Sequence, residues 1–408
     1  MFKDGSARTV KSFYNPPTLL LRQAASALCF SYLVGWNKLF PWLMKGRKTL
    51  PTAAGAIGMG CIGFPIHPVW EVTNACNLRC EQCHACSGKP LPGELNTEEG
   101  KRLLDGMAAI GEFRMLALGG GEPLVRPDIF ELVAYARSLG LEISIATNGT
   151  LLTTEMAREF RKMGVANIAV GLNANDESIH EQITRVPGSF AQSKRGIYAT
   201  LEAGMNLQIN TTVMKENRLA IPGLLDFASE VDAQIVLLYQ LVPEGRGEEE
   251  MELSMKEYLS LTEMVAEHQK TNRAIIEPTC SPQYWAHLIS RNGNKLSKLV
   301  VKLAETLFKG CVAGSGLCYV KSNGEVWPCP FVPLSAGNVC QLPLDQIWYD
   351  SELFNSLRDR EKLTGEKCGA CRFKYLCGGC RGRAYAHSGD YLGDDPLCFL
   401  YPNTTPVP

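Results

Sequence analysis

From residue 68 onward, short apolar runs alternate along the chain with longer segments in which apolar residues recur at helical spacing. The apolar runs predict six strands, at residues 69–73, 115–118, 141–146, 166–172, 207–213 and 235–241. The helical spacing predicts helices at residues 97–110, 127–139, 154–163 and 193–203. Strands and helices that alternate in this way predict an α/β fold with a parallel sheet, here a partial, TIM-like (βα)6 barrel.

Changes in local composition and hydrophobic pattern divide the chain into four predicted parts. A hydrophobic helical extension at residues 1–65 precedes the barrel core at 66–250. A helical connector at 251–309, broken around residues 278–282, leads to a domain rich in Cys, Gly and Pro at 310–408. The uncharged run at 23–37 is shorter than the ~20 residues that span a bilayer. It predicts either a helix packed on the barrel or one that lies on a membrane surface.

Charge and cysteine content narrow the class of protein. With 41 Lys and Arg against 42 Asp and Glu, the net charge of −1 argues against a nucleic-acid-binding protein. The 16 cysteines favour metal sites over disulfides, because many fall in C-x2-C clusters and no convincing signal peptide is present. The sequence therefore predicts a protein of the reducing cytoplasm, with membrane association through the N-terminal helix as an alternative.

The most specific motif is formed by Cys76, Cys80 and Cys83, in the spacing C-x3-C-x2-C directly after the first predicted strand. A [4Fe–4S] cluster has four irons and is usually held by four cysteines. Three thiolates therefore leave one iron open to a small molecule, as in a catalytic rather than a structural metal site.

Two further motifs follow the next two strands. The second strand ends in a glycine-rich run at residues 119–123, and the third ends in Thr147, Asn148 and Gly149. In parallel βα barrels the chemistry lies at the carboxyl ends of the strands. The three motifs together predict one site at this end of the barrel.

These motifs resemble the radical SAM superfamily. The resemblance implies that the three cysteines hold a [4Fe–4S] cluster whose open iron binds S-adenosylmethionine (AdoMet), which is cleaved by one electron to a 5′-deoxyadenosyl radical. It implies that Glu122 accepts from the methionine ammonium group and that the glycines let the backbone approach the ligand. The implied AdoMet-binding residues are Gly119, Gly120, Gly121, Glu122, Pro123, Thr147, Asn148, Gly149, Asn173 and Arg185. Two positions depart from the family's pattern: Gln82 replaces a common aromatic residue, and Asn173 replaces a common aspartate.

The C-terminal cysteines resemble a SPASM domain, which carries two auxiliary [4Fe–4S] clusters. By this resemblance the first cluster takes Cys311, Cys329 and Cys380, with Cys318 as a candidate fourth ligand. The second takes Cys368, Cys371, Cys377 and Cys398. If Cys318 is not a ligand, the first cluster has an open iron that could bind substrate. By spacing alone, two C-x2-C pairs could instead hold one Zn²⁺ ion.

The branch most similar to this chain makes heme and heme d1 by altering propionate side chains of iron-bearing tetrapyrroles. The resemblance implies hydrogen abstraction from such a substrate and an oxidative modification, with a reductant such as flavodoxin or ferredoxin as electron donor. Cys280 is the remaining cysteine that we expect to touch substrate, and Arg246 is either a surface residue or a carboxylate anchor. The alternatives are a maturase that modifies a peptide, a membrane-associated enzyme acting on a lipid or quinone, an iron–sulfur electron carrier, and a zinc-stabilised binding module.

Overall fold

The structure, a computed structural model, describes residues 67–113, 115–292 and 310–400. The predicted N-terminal extension and its membrane-surface helix lie outside these residues. Within the described ranges, no helix has both the length and the apolar character needed to cross a bilayer.

In the part of the chain that the structure describes, ten strands form one sheet. They are β1 His67–Thr73, β2 Met115–Gly120, β3 Glu142–Thr147, β4 Asn167–Gly171, β5 Asn206–Val213, β6 Ile235–Gln240, β7 Ile275–Thr279, β8 Leu317–Val320, β9 Glu325–Trp327 and β10 Gly337–Asn338. Their order in the sheet is β10, β9, β8 and then β1 through β7. Strands β1 to β7 run parallel and are buried on both faces, which explains why they appear in the sequence as continuous apolar runs.

The helices of the described residues cover the sheet. They are α1 Thr97–Ala109, α2 Ile129–Ser138, α3 Thr154–Lys162, α4 Glu177–Thr184, α5 Ser189–Glu202, α6 Ile221–Glu230, α7 Met255–Thr271, α8 Gln283–Asn292, α9 Leu344–Asp350, α10 Glu352–Arg358 and α11 Arg381–Ser388. Side-chain oxygens of Asn96, Thr153 and Ser254 cap α1, α3 and α7, so these helices begin where the sequence offers a capping residue.

The predicted helical connector contains a strand. Its residues 275–279 form β7, which pairs in parallel with β6 and makes the sheet one parallel strand longer than predicted. Pro278 lies within this strand, and the sheet ends at β7. An edge strand tolerates proline because one side of its backbone has no neighbouring strand to bond.

The sheet also joins the barrel to the C-terminal region. On the other side of the barrel, β8 pairs in parallel with β1, matching His67 with Leu317 and Trp70 with Val320. Strands β9 and β10 continue the sheet by antiparallel pairing. The predicted α/β fold with a parallel sheet is confirmed, and the Cys-rich region extends the same sheet.

Candidate active site

The loop after β1 carries Cys76, Cys80 and Cys83 close together. Backbone N–H groups of Arg79 and Glu81 donate to the carbonyls of Thr184 and Ile183, at 3.1 and 3.0 Å, and so fix the loop against the end of α4. Burial, together with the neighbouring thiols of Cys83 and Cys76, raises the pKa of Cys80 to about 12. The three sulfurs are therefore near enough to interact electrostatically, as the sequence spacing predicted.

Nitrogen donors are aimed at two of these sulfurs. The N–H groups of Leu78 and Ser87 donate to the sulfurs of Cys76 and Cys83, each at 3.4 Å. The side-chain amide of Asn148 donates to the Cys76 sulfur at 3.9 Å. Such donors stabilise sulfur in its anionic form, and hydrogen bonds to the sulfurs tune an iron–sulfur cluster. The loop thus fits the thiolate ligands of a cluster.

Arg246 holds this loop from outside. Its guanidinium donates to the carbonyls of Cys80 and Ser87 at 2.8 and 3.0 Å, and its backbone N–H donates to the carbonyl of Cys83 at 3.0 Å. The side chain is therefore engaged by the cysteine loop, and neither proposed role, a surface residue or a carboxylate anchor, describes it.

Two of the three glycines at the carboxyl end of β2 are needed for packing against the cysteine loop. A Cβ atom on Gly121 would lie 2.2 Å from the carbonyl oxygen of Ala75, and one on Gly120 would lie 2.4 Å from that of Thr73. Gly120 also has a φ of 122°, which favours glycine. The structure shows close approach of another backbone segment at these glycines, and their close approach to a ligand stays a prediction.

We expect Gly121→Ala to destabilise the protein by about 1–3 kcal/mol, because the new methyl group displaces a carbonyl that cannot move freely. Gly119→Ala is the matched control, since its Cβ would meet Ala146 at an ordinary 3.5 Å. Urea unfolding measures both. Equal stability of the two variants would contradict this explanation.

Glu122 is placed behind the site. Its carboxylate is fully buried and accepts from Thr147 Oγ1 and the N–H of Asn148, each at 2.7 Å, and from the N–H of Leu124 at 3.0 Å. Burial raises the pKa of Glu122 to about 7. Its contacts are with three protein donors, which position the loop after β3, and its contact with an ammonium group stays a prediction.

Three other predicted AdoMet-binding residues have structural roles. Gly149 has a φ of 77°, and a Cβ atom on it would lie 2.7 Å from a methyl group of Val170, so a glycine is required for the packing of this loop. Pro123 is buried and begins a short 3-10 helix, Pro123–Val125. Arg185 caps α4 with a φ of 58°, and its side chain is 59% exposed and pairs with Glu81 at 3.4 Å. None of the three lies on the wall of the central cavity described next.

A cavity of about 400 Å³ opens at the carboxyl ends of the parallel strands. The predicted residues on its wall are Cys80, Gly119, Gly120, Gly121, Thr147, Asn148, Asn173, Cys280, Cys311, Cys329 and Cys380. Among the described residues, the wall includes no Lys, Arg, Asp or Glu side chain. The cavity therefore brings the cysteine loop, the strand-end motifs and the C-terminal cysteines to one uncharged space.

Polar atoms without a protein partner line this cavity, and the sequence did not single them out. Gln82 Oε1, His180 Nε2 and Thr279 Oγ1 are buried and have no hydrogen-bond partner among the described residues. Buried polar atoms are usually paired, so unpaired ones around one cavity fit a bound ligand. The two positions that depart from the family's pattern are in contact, because Gln82 Nε2 donates to Asn173 Oδ1 at 3.3 Å.

Tyr319 is a further residue that the sequence did not indicate. It lies on the cavity wall, with its hydroxyl 2.6 Å from the fully buried carboxylate of Glu71 and 3.5 Å from His84 Nε2. Burial raises the pKa of Glu71. The pair places an acidic group one hydrogen bond behind the cavity, where a proton can be held or accepted.

The C-terminal cysteines form two groups. Cys329 interacts electrostatically with Cys311 and Cys380, and all three line the central cavity. Cys377 interacts with Cys368 and Cys398. Cys371 belongs to the same predicted set, and its N–H donates to the carbonyl of Cys368 at 3.4 Å. The structure thus brings together the two predicted sets, except for one member.

That exception is Cys318. Its neighbours on β8, Leu317 and Tyr319, face the cavity, so the alternation of a strand points Cys318 to the opposite face. It is fully buried in the hydrophobic core, and burial raises its pKa to about 12. The structure therefore contradicts the expectation that Cys318 completes the first set.

Within residues 67–113, 115–292 and 310–400, no three Cys, His, Asp or Glu side chains are grouped so that they could hold a metal ion. The zinc alternative requires four sulfurs around one ion, whereas a [4Fe–4S] cluster places one sulfur on each of four irons. The two alternatives are separated by the iron and zinc content of the protein.

Comparison with known proteins agrees with this geometry. Residues 70–228 match the radical SAM superfamily, and residues 311–372 match the SPASM domain, described as an iron-sulfur cluster-binding domain. The crystal structure of Streptococcus suis SuiB bound to S-adenosylmethionine has a TM-score of 0.66 and covers 86% of this chain and 82% of that chain. At 20% identity, this likeness shows the fold alone.

Three relatives are similar over most of their length. The AdoMet-dependent heme synthase of Methanosarcina barkeri is 40% identical over 336 residues, which cover 82% of this chain and 96% of that protein. The AdoMet-dependent heme synthase of Nitratidesulfovibrio vulgaris is 36% identical, covering 82% and 92%. The mycofactocin maturase MftC of Mycobacterium ulcerans is 30% identical, covering 82% and 88%.

Proposed function

This chain is a radical SAM enzyme with a SPASM domain and belongs to the family of the AdoMet-dependent heme synthases, and we propose that it oxidises propionate side chains of an iron-bearing tetrapyrrole. [4Fe–4S] clusters and AdoMet are its cofactors, as the sequence predicted. When bound, they supply a 5′-deoxyadenosyl radical that takes a hydrogen atom from an unactivated carbon.

Three cysteine sets are proposed to hold the clusters. Cys76, Cys80 and Cys83 hold the cluster that binds AdoMet, because their loop provides three thiolates and donors to the sulfurs. Cys311, Cys329 and Cys380 belong to the first auxiliary cluster, and Cys368, Cys371, Cys377 and Cys398 hold the second. Gln82, Asn173 and His180 lie on the cavity wall beside the first loop, and their polar atoms are suited to orienting AdoMet.

The observation that carries the proposal is the cavity shared by the cysteine loop and the first C-terminal set. Its wall suits the apolar face of a flat macrocycle, and Phe331 provides an aromatic face beside His84, with ring centroids 5.2 Å apart. Ligand sites of this kind are mostly apolar with a few polar groups that set orientation. Tyr319 on this wall and Glu71, one hydrogen bond behind it, can hold a proton there.

For each propionate, the proposed reaction removes one hydrogen atom, one molecule of carbon dioxide and one electron. One hydrogen atom leaves the side chain and becomes bound to the 5′ carbon of the adenosyl group. The carbon–carbon bond to the carboxylate breaks, carbon dioxide leaves and a vinyl group remains. One electron is left over, and the acceptor we propose is of the iron–sulfur class, held by the C-terminal cysteines.

We further propose that a low-potential donor such as flavodoxin or ferredoxin delivers the electron that cleaves AdoMet. A reducing cytoplasm is the proposed location, because the cysteines act as metal ligands. Contact of residues 1–65 with a membrane surface remains a proposal based on their hydrophobic sequence.

The test uses anaerobically reconstituted protein. We expect about 12 irons, as many sulfides and no zinc per chain, on the stoichiometry of three four-iron clusters. With dithionite, AdoMet and Fe-coproporphyrin III, we expect 5′-deoxyadenosine and a porphyrin that has lost carbon dioxide and two hydrogens per propionate, measured by mass spectrometry. Formation of 5′-deoxyadenosine with an unchanged porphyrin would contradict the proposed substrate.

A peptide substrate is the second candidate, favoured by the similarity to mycofactocin maturase MftC. It predicts that 5′-deoxyadenosine formation rises when a precursor peptide is added and does not respond to the porphyrin. Running both substrates against the same enzyme preparation separates the two functions, because uncoupled cleavage of AdoMet is subtracted equally from each.

A further inference from the structure

We propose that Cys280, and not Cys318, is the fourth protein thiolate of the first auxiliary cluster. The proposal rests on the proposed function, since it takes Cys311, Cys329 and Cys380 as the other three ligands. It assigns to Cys280 a structural role in place of the substrate contact that the sequence suggested.

The position of Cys280 follows from the unexpected strand β7. Cys280 is the first residue after β7, so it lies at the carboxyl end of the sheet and on the wall of the central cavity. Its φ of 57° is unusual for a residue other than glycine. Such a conformation persists where surrounding contacts impose it, and it is found mainly at functional sites.

Cys280 lies beside the other members of the set on the wall of the central cavity. Its sulfur and that of Cys380 are hydrogen-bond partners, and it also lies near enough to Cys329 to interact electrostatically. Cys329 interacts electrostatically in turn with Cys311 and Cys380. All four residues line the same cavity, and each is near at least one other member of the set.

One buried cation fixes the backbone of this set. Arg383 donates to the carbonyl of Cys280 at 3.1 Å and to the carboxylate of Asp395 at 3.3 Å. The same carboxylate accepts from the N–H of Cys380 at 2.8 Å. A cysteine from the barrel and one from the C-terminal region are therefore positioned through a shared network, as ligands of one cluster require.

Cys318 lacks each of these features. It faces away from the cavity on β8, packs in the hydrophobic core, and has Arg358 as the charged group near it. With Cys280 as the fourth ligand, every iron of the first auxiliary cluster has a protein thiolate. The substrate then has no iron to bind there, and this cluster serves electron transfer.

The experiment counts auxiliary iron in a protein that lacks the AdoMet-binding cluster. The background variant C76A/C80A/C83A is expected to retain about 8 irons, the content of two four-iron clusters. On this background we compare C280A, C318A and C380A after anaerobic reconstitution. We expect C280A to match C380A, with either about half the iron or conversion to a three-iron cluster visible by electron paramagnetic resonance.

The matched control is C318A, which is expected to keep the iron content and spectrum of the background. Cys280→Ser guards against misfolding, because it keeps the shape of the side chain while changing the ligand atom. Its spectrum is expected to differ from that of the background, and 2-mercaptoethanol is expected to alter the spectra of C280A and C380A, by binding the exposed iron, but not those of C318A or the background.

Unchanged iron and spectra in both C280A and C280S would overturn the assignment, as would loss of iron from C318A alone. A background variant without iron would instead contradict the proposed function, because no auxiliary cluster would then exist. The iron content of the background variant therefore tests the proposed function first, and the substitutions at Cys280 and Cys318 then test the ligand assignment.

Discussion

Replacing Cys80 by alanine is expected to reduce reductive cleavage of AdoMet to below detection. Cys80 lies between the other two thiols of the loop, and its sulfur interacts with both. Removing one of three ligands leaves a second iron without a thiolate, and a site of this kind depends on its full ligand set. The measurements are 5′-deoxyadenosine formation with dithionite and the iron content, expected to fall from about 12 to about 8 per chain.

Cys86→Ala is the matched control for this experiment. Cys86 lies three residues after Cys83 in the same loop, is exposed, and has a φ of 50° that alanine must also adopt. It therefore tests the effect of losing a thiol and of any local strain without removing a proposed ligand. Full activity in C86A with none in C80A is the expected pattern, and activity retained in C80A would refute the assignment of the loop.

Replacing Arg383 by alanine is expected to lower the free energy of unfolding by about 3–5 kcal/mol, the usual consequence of removing one partner from a buried ion pair. Arg383 is fully buried and its guanidinium lies 3.2 Å from Glu252 and 3.3 Å from Asp395. Without it, buried Asp395 loses its ion-pair partner and buried Glu252 keeps only His387 at 2.7 Å among the ion-pair partners in the described residues. Anaerobic urea unfolding, followed by circular dichroism, measures the loss.

Arg185→Ala controls for removal of an arginine as such. Arg185 forms an ion pair with Glu81, and the arginine side chain of this pair is largely exposed. Exposed ion pairs contribute about 0–1 kcal/mol to the free energy of unfolding. Arg383→Lys separates charge from geometry, since lysine keeps the charge but cannot donate simultaneously to Asp395, Glu252 and two carbonyls. A loss below about 1 kcal/mol in Arg383→Ala would contradict the role given to this network.

The strands of the barrel could be predicted because they are buried on both faces. A parallel strand of this kind appears in the sequence as an unbroken apolar run, so β2, β3 and β6 were found within one or two residues. Strand β7 was not, because Glu277 and Pro278 interrupt its apolar run. Only the arrangement of the sheet reveals that Pro278 lies on an edge.

The candidate site could be located from the sequence, but the roles of its residues could not all be assigned. The motif around Gly121 and Glu122 marks the correct end of the barrel. What each residue touches depends on the path of the cysteine loop, which brings the carbonyl of Ala75 against Gly121. Contacts between segments that lie far apart in the chain leave no local pattern in the sequence. For the same reason, the sequence did not predict that Cys280 lies beside Cys380.

The pairing of β8 with β1 has a consequence for dissecting this protein into parts. Strand β1 carries fully buried Trp70 and Val72, and its outer side is bonded to β8. A fragment ending before residue 310 would expose the backbone of β1 as a new sheet edge. Exposed apolar edges recruit strands from other molecules. The C-terminal region therefore protects the barrel against aggregation in addition to supplying cysteines, and a barrel expressed alone would need a charged or proline-bearing β1 to stay monomeric.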